Sequence, residues 1–167
     1  MDEWFEIVDE QDQVIGRARR AECHGNPALV HRTAHVVVSA SDGRLLLQRR
    51  SADKDIQPGK WDTAVGGHLA PGETYEQGAR REMGEELGLS PDLPLHWLFR
   101  SEIRNAVESE NVGVFRLVHD GPFQAQEVEI DELRFWTVAE LHQAVGTGIF
   151  TPNLEVELAR LLAEGLL

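Results

Sequence analysis

The chain alternates between short runs of β-branched and aromatic residues and polar turns that contain glycine, proline or aspartate. Residues 4–8 and 13–16 flank an acidic segment, which predicts an N-terminal β-hairpin, and a short helical turn is expected over residues 17–23. Residues 31–40 and 44–50 flank a Ser-Asp-Gly turn, which predicts a second hairpin. The first part of the chain is therefore expected to be rich in β-strands.

One later segment carries the signals of a helix with both ends marked. Thr74 is a favourable N-cap with Gln77 three residues later, and Gly88 lies where a C-terminal glycine is favoured, so a helix is predicted over residues 74–87. The remaining predicted elements are strands 63–66, 95–99, 112–118 and 133–136 and helices 138–145 and 154–162. Together they predict an α/β fold of the α+β kind in one domain, residues 1–167, with an N-terminal hairpin extension of about residues 1–30.

Composition and charge restrict the class of partner. Apolar residues make up 41% and charged residues 27% of the chain, which is ordinary for a globular protein. A formal net charge of −13, without any run of Lys or Arg, argues against a nucleic-acid polymer as partner. A small phosphorylated substrate stays compatible with this charge, because bound divalent cations invert the local sign of an acidic pocket.

The location of the protein is also constrained by the sequence. No stretch approaches the roughly 20 apolar residues of a membrane span, and the start of the chain lacks a basic region followed by an apolar one, so no membrane association is expected. The single cysteine, Cys23, cannot form an intramolecular disulfide. These features favour a cytoplasmic protein, and both a monomer and a homodimer are compatible with them.

Three carboxylates share one face of the predicted helix 74–87. Glu82, Glu85 and Glu86 lie at positions i, i+3 and i+4. Like charges at this spacing repel each other and raise the carboxylate pKa values unless a cation lies between them, which predicts a divalent metal site. The alternative is a solvated acidic helix face, which is the ordinary interpretation of glutamate-rich helices.

The residues around these glutamates form a longer pattern, G-x5-E-x7-R-E-U-x-E-E-x-G-U, where U is aliphatic. Its positions are filled by Gly67, Glu73, Arg81, Glu82, Met83, Glu85, Glu86, Gly88 and Leu89. The chain therefore resembles the Nudix hydrolases. This resemblance implies a mixed β-sheet sandwiched between helices and a Mg²⁺ cofactor, with Mn²⁺ as an alternative.

The resemblance also implies roles for individual residues. It assigns Glu82 and Glu86 as Mg²⁺ ligands and Glu85 as a further ligand or as the group that deprotonates water. Arg81 and Glu73 are expected to form an ion pair that ties the loop to the helix, because a guanidinium can hold a carboxylate through two hydrogen bonds. Glu73, Arg81, Glu85 and Glu86 are thus the predicted catalytic group.

Within the Nudix proteins the chain is similar to the isopentenyl-diphosphate isomerases. The similarity lies in Pro58-Gly59-Lys60-Trp61, in Gly67-His68 and in the seven-residue spacing of His24 and His31. It implies a second metal site, whose imidazole and carboxylate ligands suit Mg²⁺ or a transition metal. The ligands would be His24, His31, His68, Glu108 and Glu110.

One departure from the isomerases decides between two activities. The isomerases carry a cysteine immediately before the Gly-His pair, and this chain has Gly66 there. Isomerisation needs an acid and a base on either side of the alkene, and glycine supplies neither. The sequence therefore favours hydrolysis of a diphosphate linkage, in a nucleoside diphosphate derivative or a nucleoside di- or triphosphate, by metal-activated water.

Two other functions are compatible with the same motif. One is an isopentenyl-diphosphate isomerase-like enzyme, and the other is a catalytically silent nucleotide-binding sensor. Glu127 or Glu129 could supply a further base or metal ligand. Arg49 and Arg50 are candidates for contacts to a substrate phosphate, and equally for solvated residues at a strand end.

Overall fold

The computed structural model describes residues 3–167, and Met1 and Asp2, which begin the predicted extension, lie outside the described residues. The described chain has nine strands and four helices. The strands are β1 Trp4–Val8, β2 Val14–Arg19, β3 Val30–Ser39, β4 Leu45–Arg50, β5 Trp61–Thr63, β6 Val65–His68, β7 His96–Arg104, β8 Ser109–Val118 and β9 Ile130–Trp136. The helices are α1 Arg20–Cys23, α2 Tyr75–Leu87, α3 Val138–Ala144 and α4 Pro152–Ala163.

Strand β3 is the centre of a seven-stranded mixed sheet. It pairs in parallel with β8 along its whole length and antiparallel with β4 and β6. Strand β7 extends the sheet beyond β8, and β5 and β9 both pair with β4. The hairpin β1–β2 forms a separate two-stranded sheet, as the pattern of residues 4–16 predicts.

Helices cover both faces of this sheet, which confirms the predicted sandwich. Alternate residues of β3 point to opposite faces. Val36 and Val38 of β3 pack with α2 through Ala79, Met83 and Leu87. On the other face, Val37 of β3 packs with apolar residues of α3 and α4, namely Leu141, Leu154, Leu158 and Leu161.

The ends of α2 are fixed by local hydrogen bonds. The Thr74 hydroxyl accepts from the Gln77 backbone N–H at 3.1 Å, and the Gln77 side chain accepts from the Thr74 N–H at 2.9 Å. Gly88 ends the helix in the left-handed region at φ 67°. The predicted helix and both of its caps are therefore confirmed.

Several strands differ from the predicted ranges. Strand β8 begins at Ser109, three residues before the predicted start, because its polar residues Ser109, Glu110 and Asn111 are buried by pairing with β3 and β7. Strand β2 continues to Arg19, so only Arg20–Cys23 of the predicted helical turn is helical. No helix within residues 3–167 is long and apolar enough to cross a membrane.

Asp12 joins the tip of the N-terminal hairpin to the rest of the domain. Its carboxylate accepts hydrogen bonds from Arg32 Nε at 3.2 Å, from the Tyr75 hydroxyl at 3.0 Å and from Asn111 Nδ2 at 2.8 Å. The Arg32 guanidinium also donates to the Asp12 carbonyl. These donors come from β3, α2 and β8, so one side chain fixes the hairpin against three elements.

Replacement of Asp12 by Asn should lower the free energy of unfolding by about 1–2 kcal/mol, because the amide accepts fewer of these hydrogen bonds and carries no charge. Asn tolerates the positive φ of 61° at this position, so backbone strain does not contribute. Urea unfolding provides the measurement. The matched control is Asp42→Asn in an exposed turn, and equal stability of the two variants would contradict the role of Asp12.

Candidate active site and metal centre

Arg81 lies at the centre of the motif carboxylates on α2. Its Nε and Nη2 atoms donate to the two oxygens of Glu73 at 2.8 and 2.9 Å, which is the predicted two-bond ion pair. Its Nη1 donates to Glu82 at 2.8 Å and to Glu85 at 3.2 Å, and Nη2 also donates to the His68 carbonyl at 3.0 Å. These hydrogen bonds lower the pKa of Glu73 and raise the pKa of Arg81.

Gly67 permits the close approach of Glu82 to strand β6. A Cβ atom at Gly67 would lie 2.1 Å from Glu82 Cδ, a separation that real atoms do not reach. Burial raises the pKa of the Glu82 carboxyl despite the hydrogen bond from Arg81. The Glu82 carboxylate thus lies directly against the β6 backbone, where a larger residue than glycine would displace it.

Glu86 is the most buried of the three motif glutamates. Its Oε2 accepts from the Gly66 N–H at 3.0 Å and its Oε1 from Gln48 Nε2 at 3.3 Å. Burial, followed by the nearby charge of Glu82, raises the pKa of Glu86 to about 8. A divalent cation beside this oriented carboxylate would remove that penalty on the charged form, so the donor set fits the predicted oxygen-liganded cation.

The three motif glutamates do not converge on a single point. Arg81 lies between Glu82 and Glu85, and the Glu85 side chain is 54% exposed. The group of potential metal ligands that does converge is a different one. Within the described part of the chain, one ligand atom from each of four residues lies within 4.8 Å of the others, and these residues are His31, His68, Glu108 and Glu110.

Strand register brings this second group together. In β3, His31 is paired with Glu110 of the parallel strand β8, and Thr33 is paired with His68 of β6. His31 Nε2 and His68 Nε2 each lie 3.3 Å from Glu110 Oε2. Strand β8 therefore places the Glu110 carboxylate on one side of His31, and strand β6 places the His68 imidazole on the other side.

The second group has the character of a cation site. Both ring nitrogens of His31 and Nε2 of His68 are buried, and none of them has a well-aligned hydrogen bond among the described residues, although both Nε2 atoms lie 3.3 Å from Glu110 Oε2. Burial by itself would raise the pKa of Glu110, but the hydrogen bonds and charges of His31 and His68 outweigh burial and lower this pKa. For Glu108, burial and the nearby charge of Glu110 raise the pKa. Imidazole nitrogens that converge with two carboxylates match the ligands of a divalent transition metal.

His24, the fifth residue predicted for this site, is not a member of the converging group. It follows the last residue of α1 with an extended backbone and is only partly buried. Burial, then the positive charge of Arg20, then His68 and His31, lower its pKa. His24 is therefore a neighbour of the cluster, and the structure brings together four of the five predicted ligands.

Phe5 of the N-terminal hairpin stacks on both histidines of the cluster. Its ring centroid lies 4.9 Å from that of His31 and 4.5 Å from that of His68, with interplanar angles of 13° and 22°. Glu6 of the same strand accepts a hydrogen bond from the Gly72 N–H in the motif loop at 3.1 Å. The hairpin therefore contacts both halves of the candidate site.

Sequence reasoning missed one buried ion pair beside these groups. His35 Nδ1 lies 2.7 Å from Glu157 Oε2, although the two residues are 122 positions apart. Burial lowers the pKa of His35, but the charge and hydrogen bond of Glu157 outweigh it and raise the pKa to about 9. His35 lies four residues after His31 in β3 and therefore on the same face of the sheet, which is a signal that the sequence contains. Nothing in the sequence indicates Glu157 as its partner.

The remaining predicted site residues have structural partners. Arg50 donates two hydrogen bonds to the Ile56 carbonyl and lies 3.6 Å from Asp62, which fixes the loop after β4. Arg49 lies 3.8 Å from Glu132. Glu129 forms an ion pair with Lys54, whereas Glu127 is exposed. Among the described residues, neither arginine forms a hydrogen bond or ion pair with a motif glutamate, and their part in substrate binding stays a prediction.

Comparison with known proteins gives the same classification. A family model described as the NUDIX domain matches residues 29–154. An uncharacterized Nudix hydrolase of Yersinia pestis is 40% identical over 142 residues, which cover 83% of this chain and 74% of that protein. An uncharacterized Nudix hydrolase of Streptomyces coelicolor is 34% identical over 166 residues, covering 97% and 90% of the two chains.

Solved structures share the fold. A crystal structure from Deinococcus radiodurans has a TM-score of 0.82 at 27% identity and covers 95% of this chain and 98% of that one. The NUDIX domain of a Shewanella oneidensis protein, crystallised with ADP-ribose, has a TM-score of 0.62 at 19% identity, covering 81% and 88% of the two chains. At that identity the second likeness concerns the fold alone.

Replacement of Gly67 by Ala should displace the Glu82 carboxylate, because the added Cβ would overlap Glu82 Cδ. We expect Mn²⁺ affinity to fall on the order of tenfold and the free energy of unfolding to fall by about 1–3 kcal/mol. Titration calorimetry and thermal unfolding measure the two effects.

The control for this prediction is Gly16→Ala. A Cβ at Gly16 meets nothing within 4 Å, and neither glycine has a φ in the left-handed region, so only the clash differs between the variants. Unchanged Mn²⁺ affinity in a folded Gly67→Ala variant would contradict the requirement for close approach.

Proposed function

Because the chain belongs to the Nudix hydrolase family, we propose that it cleaves a diphosphate linkage in a nucleoside diphosphate derivative with the help of Mg²⁺. The observation that carries this proposal is the set of carboxylates that Arg81, Gly66 and Gly67 hold against strand β6. The ADP-ribose bound by the Shewanella oneidensis NUDIX domain belongs to the proposed class of substrate. Nucleoside di- and triphosphates are members of the same class.

Glu82 and Glu86 are the proposed Mg²⁺ ligands. They are one helical turn apart on α2, both are largely buried, and the pKa of each is raised by burial in the absence of a cation. A bound divalent cation supplies two things here: charge neutralisation at the phosphates and a lower pKa for water. The Gln48 side chain donates to one oxygen of the Glu86 carboxylate and the Gly66 N–H donates to the other, so these two groups fix the orientation of the carboxylate.

Arg81 and Glu85 complete the proposed machinery. Arg81 orients Glu82 and, through Glu73 and the His68 carbonyl, fixes the motif loop to the helix. Glu85 is the most exposed motif glutamate, so its carboxylate can reach solvent and accept a proton from the attacking water, or serve as a further ligand.

We assign a second cation to the cluster His31, His68, Glu108 and Glu110. Three buried imidazole nitrogens, His31 Nδ1 and Nε2 and His68 Nε2, lack a well-formed hydrogen bond among the described residues, and this supports the assignment. Mixed nitrogen and oxygen ligands suit a transition metal ion such as Mn²⁺ better than Mg²⁺, which prefers oxygen ligands. On this proposal residues 1–167 form one domain, and the N-terminal hairpin contributes to the site. Phe5 stacks on the two histidines of the cluster, and Glu6 accepts a hydrogen bond from the motif loop.

The same cluster is the observation that favours an isomerase-like alternative. That activity needs an acid at the position of Gly66, and the single cysteine of the chain, Cys23, is not placed to supply it. Cys23 is 0% exposed and packs with Phe5, Ile7 and Ala18, and burial raises its pKa. Hydrolysis is therefore the proposed activity. The complete set of motif carboxylates, Glu73, Glu82, Glu85 and Glu86, argues against a silent sensor.

Replacement of Glu86 by Gln should reduce Mg²⁺-dependent turnover of nucleoside diphosphate derivatives at least about a hundredfold, because a neutral amide is a weaker cation ligand. The circular dichroism spectrum should stay unchanged. Product identity is read by mass spectrometry. Glu76→Gln, on an exposed position of the same helix, is the control and should retain activity, and full activity of Glu86→Gln would exclude its proposed role.

Replacement of His68 by Asn should abolish one of two classes of Mn²⁺ binding or weaken it on the order of tenfold to a hundredfold. Electron paramagnetic resonance of free Mn²⁺ gives the number of bound ions without reference to activity. His142→Asn, an exposed position on α3, serves as the control. One class of Mn²⁺ binding in the wild-type protein, unaltered by His68→Asn, would contradict the second site.

A further inference from the structure

The loop between β4 and β5 and the loop between β8 and β9 meet beside the last turn of α2. The Gln126 N–H donates to the backbone carbonyl of Glu86 at 3.0 Å, which fixes the β8–β9 loop to the helix. The Ser51 N–H donates to the Glu129 carbonyl at 3.1 Å, which joins the β4–β5 loop to the β8–β9 loop. Both loops are therefore attached, directly or through each other, to the residue that we assign to Mg²⁺.

An ion pair between side chains also connects the two loops. The Lys54 ammonium on the β4–β5 loop pairs with the Glu129 carboxylate on the β8–β9 loop. Their side chains are 28% and 38% exposed, so the pair is partly shielded from solvent and interacts more strongly than a fully exposed pair. Glu129 therefore determines where the positive charge of Lys54 lies.

Lys54 lies within electrostatic range of Glu86. Apart from its partner Glu129, two arginines repel its ammonium, whereas the carboxylates of Glu86 and Asp55 attract it, and the attraction by Glu86 is the larger of the two. The hydrogen-bond donors that hold the Glu86 carboxylate are the side chain of Gln48 and a backbone N–H, both of them neutral. A Lys54 ammonium released from Glu129 would therefore have Glu86 as its strongest remaining anionic neighbour.

An ammonium group at Glu86 and a divalent cation at Glu86 exclude each other. Both would neutralise the same buried carboxylate, and two neighbouring cations repel each other strongly where solvent is partly excluded. The flexible four-carbon stem of lysine lets its ammonium move between nearby carboxylates without a change in the backbone. A Lys54 ammonium on Glu86 would leave the motif without the Lewis acid that a bound cation supplies.

We propose that Glu129 is a positioning residue, which holds the Lys54 ammonium away from Glu86 and so keeps the cation position at Glu86 open. Lys54 is then a competitor of the divalent cation that the chain itself carries. The proposal rests on the proposed role of Glu86 as a Mg²⁺ ligand. It gives Glu129 a role that differs from those of a base or a metal ligand, which are the two roles that the sequence suggests for this residue.

Mn²⁺ binding, measured by electron paramagnetic resonance, tests this arrangement without reference to turnover. Glu129→Gln frees Lys54 and should lower the affinity of the Mn²⁺ site that Glu86→Gln removes, on the order of tenfold. The double variant Lys54→Met/Glu129→Gln lacks the competitor, so its affinity should return to within about threefold of the wild-type value. A loss that persists in the double variant would overturn the proposal and would identify Glu129 as a ligand, and an unchanged affinity of Glu129→Gln would overturn it as well.

Two control variants make the same changes of charge without breaking this ion pair. Lys60→Met removes an ammonium group from the same loop as Lys54, and Glu132→Gln removes a carboxylate from an exposed ion pair with Arg49 near the start of β9. Both should keep the Mn²⁺ affinity within about twofold of the wild-type value, because exposed charges are screened by salt. Equal losses in Glu132→Gln and Glu129→Gln would show a general effect of charge and would contradict positioning by Glu129.

Thermal unfolding in the presence of EDTA detects the alternative ion pair without any metal. Glu86→Gln is introduced into the wild-type protein and into Glu129→Gln, and the two changes in melting temperature are compared. The decrease should be larger by about 2–4 °C in the Glu129→Gln background, because only there does the change break an ion pair between Lys54 and Glu86. Equal changes in the two backgrounds would show that Lys54 stays away from Glu86 and would overturn the proposal.

The positioning role and the hydrolysis can fail independently. A larger effect of Glu86→Gln in the Glu129→Gln background, in a protein that turns over no nucleoside diphosphate derivative, would uphold the placement of Lys54 by Glu129 and reject the proposed reaction. Mg²⁺-dependent turnover, together with equal effects of Glu86→Gln in both backgrounds, would uphold the reaction and reject the role of Glu129.

Discussion

The candidate site depends on two adjacent residues of β6 that have no side chains. Successive residues of a strand face opposite sides of the sheet, so Gly66 opens one face and Gly67 opens the other. Glu82 of α2 occupies the space beside Gly67, and the ring of His35 occupies the space beside Gly66. This constraint lets Glu82 on one face and His35 on the other approach the same short piece of backbone.

Arg81 offsets the electrostatic cost of that approach. A chain with a net charge of −13 places several carboxylates close together, and burial makes their charged forms less favourable. The guanidinium donates to Glu73, Glu82 and Glu85 at once and leaves Glu86 to Gln48 and Gly66. Among the described residues, Glu86 is the most buried motif carboxylate and forms no ion pair with an Arg or Lys, which is why we assign it to a cation.

The cluster on the other face is held by strand pairing and by the N-terminal hairpin. His31 lies between His68 and Glu110 because β3 is paired with β6 on one side and with β8 on the other. Phe5 then stacks on both imidazoles, and Asp12 fixes the hairpin tip to β3, α2 and β8. An element outside the family-matched residues 29–154 therefore contributes to the geometry of the site.

The sequence alone determined the features that depend on nearby residues. These features are helix α2, its caps at Thr74 and Gly88, and the ion pair between Arg81 and Glu73, whose contacts lie within eight positions. The family resemblance also named five ligands for the second cluster, and four of them converge. Tertiary structure decided the rest: the extra length of β8, the exclusion of His24, the stacking of Phe5 and the pairing of His35 with Glu157. These depend on strand register and on packing between residues up to 122 positions apart, and local patterns do not contain that information because register is fixed only when the sheet and α4 assemble around it.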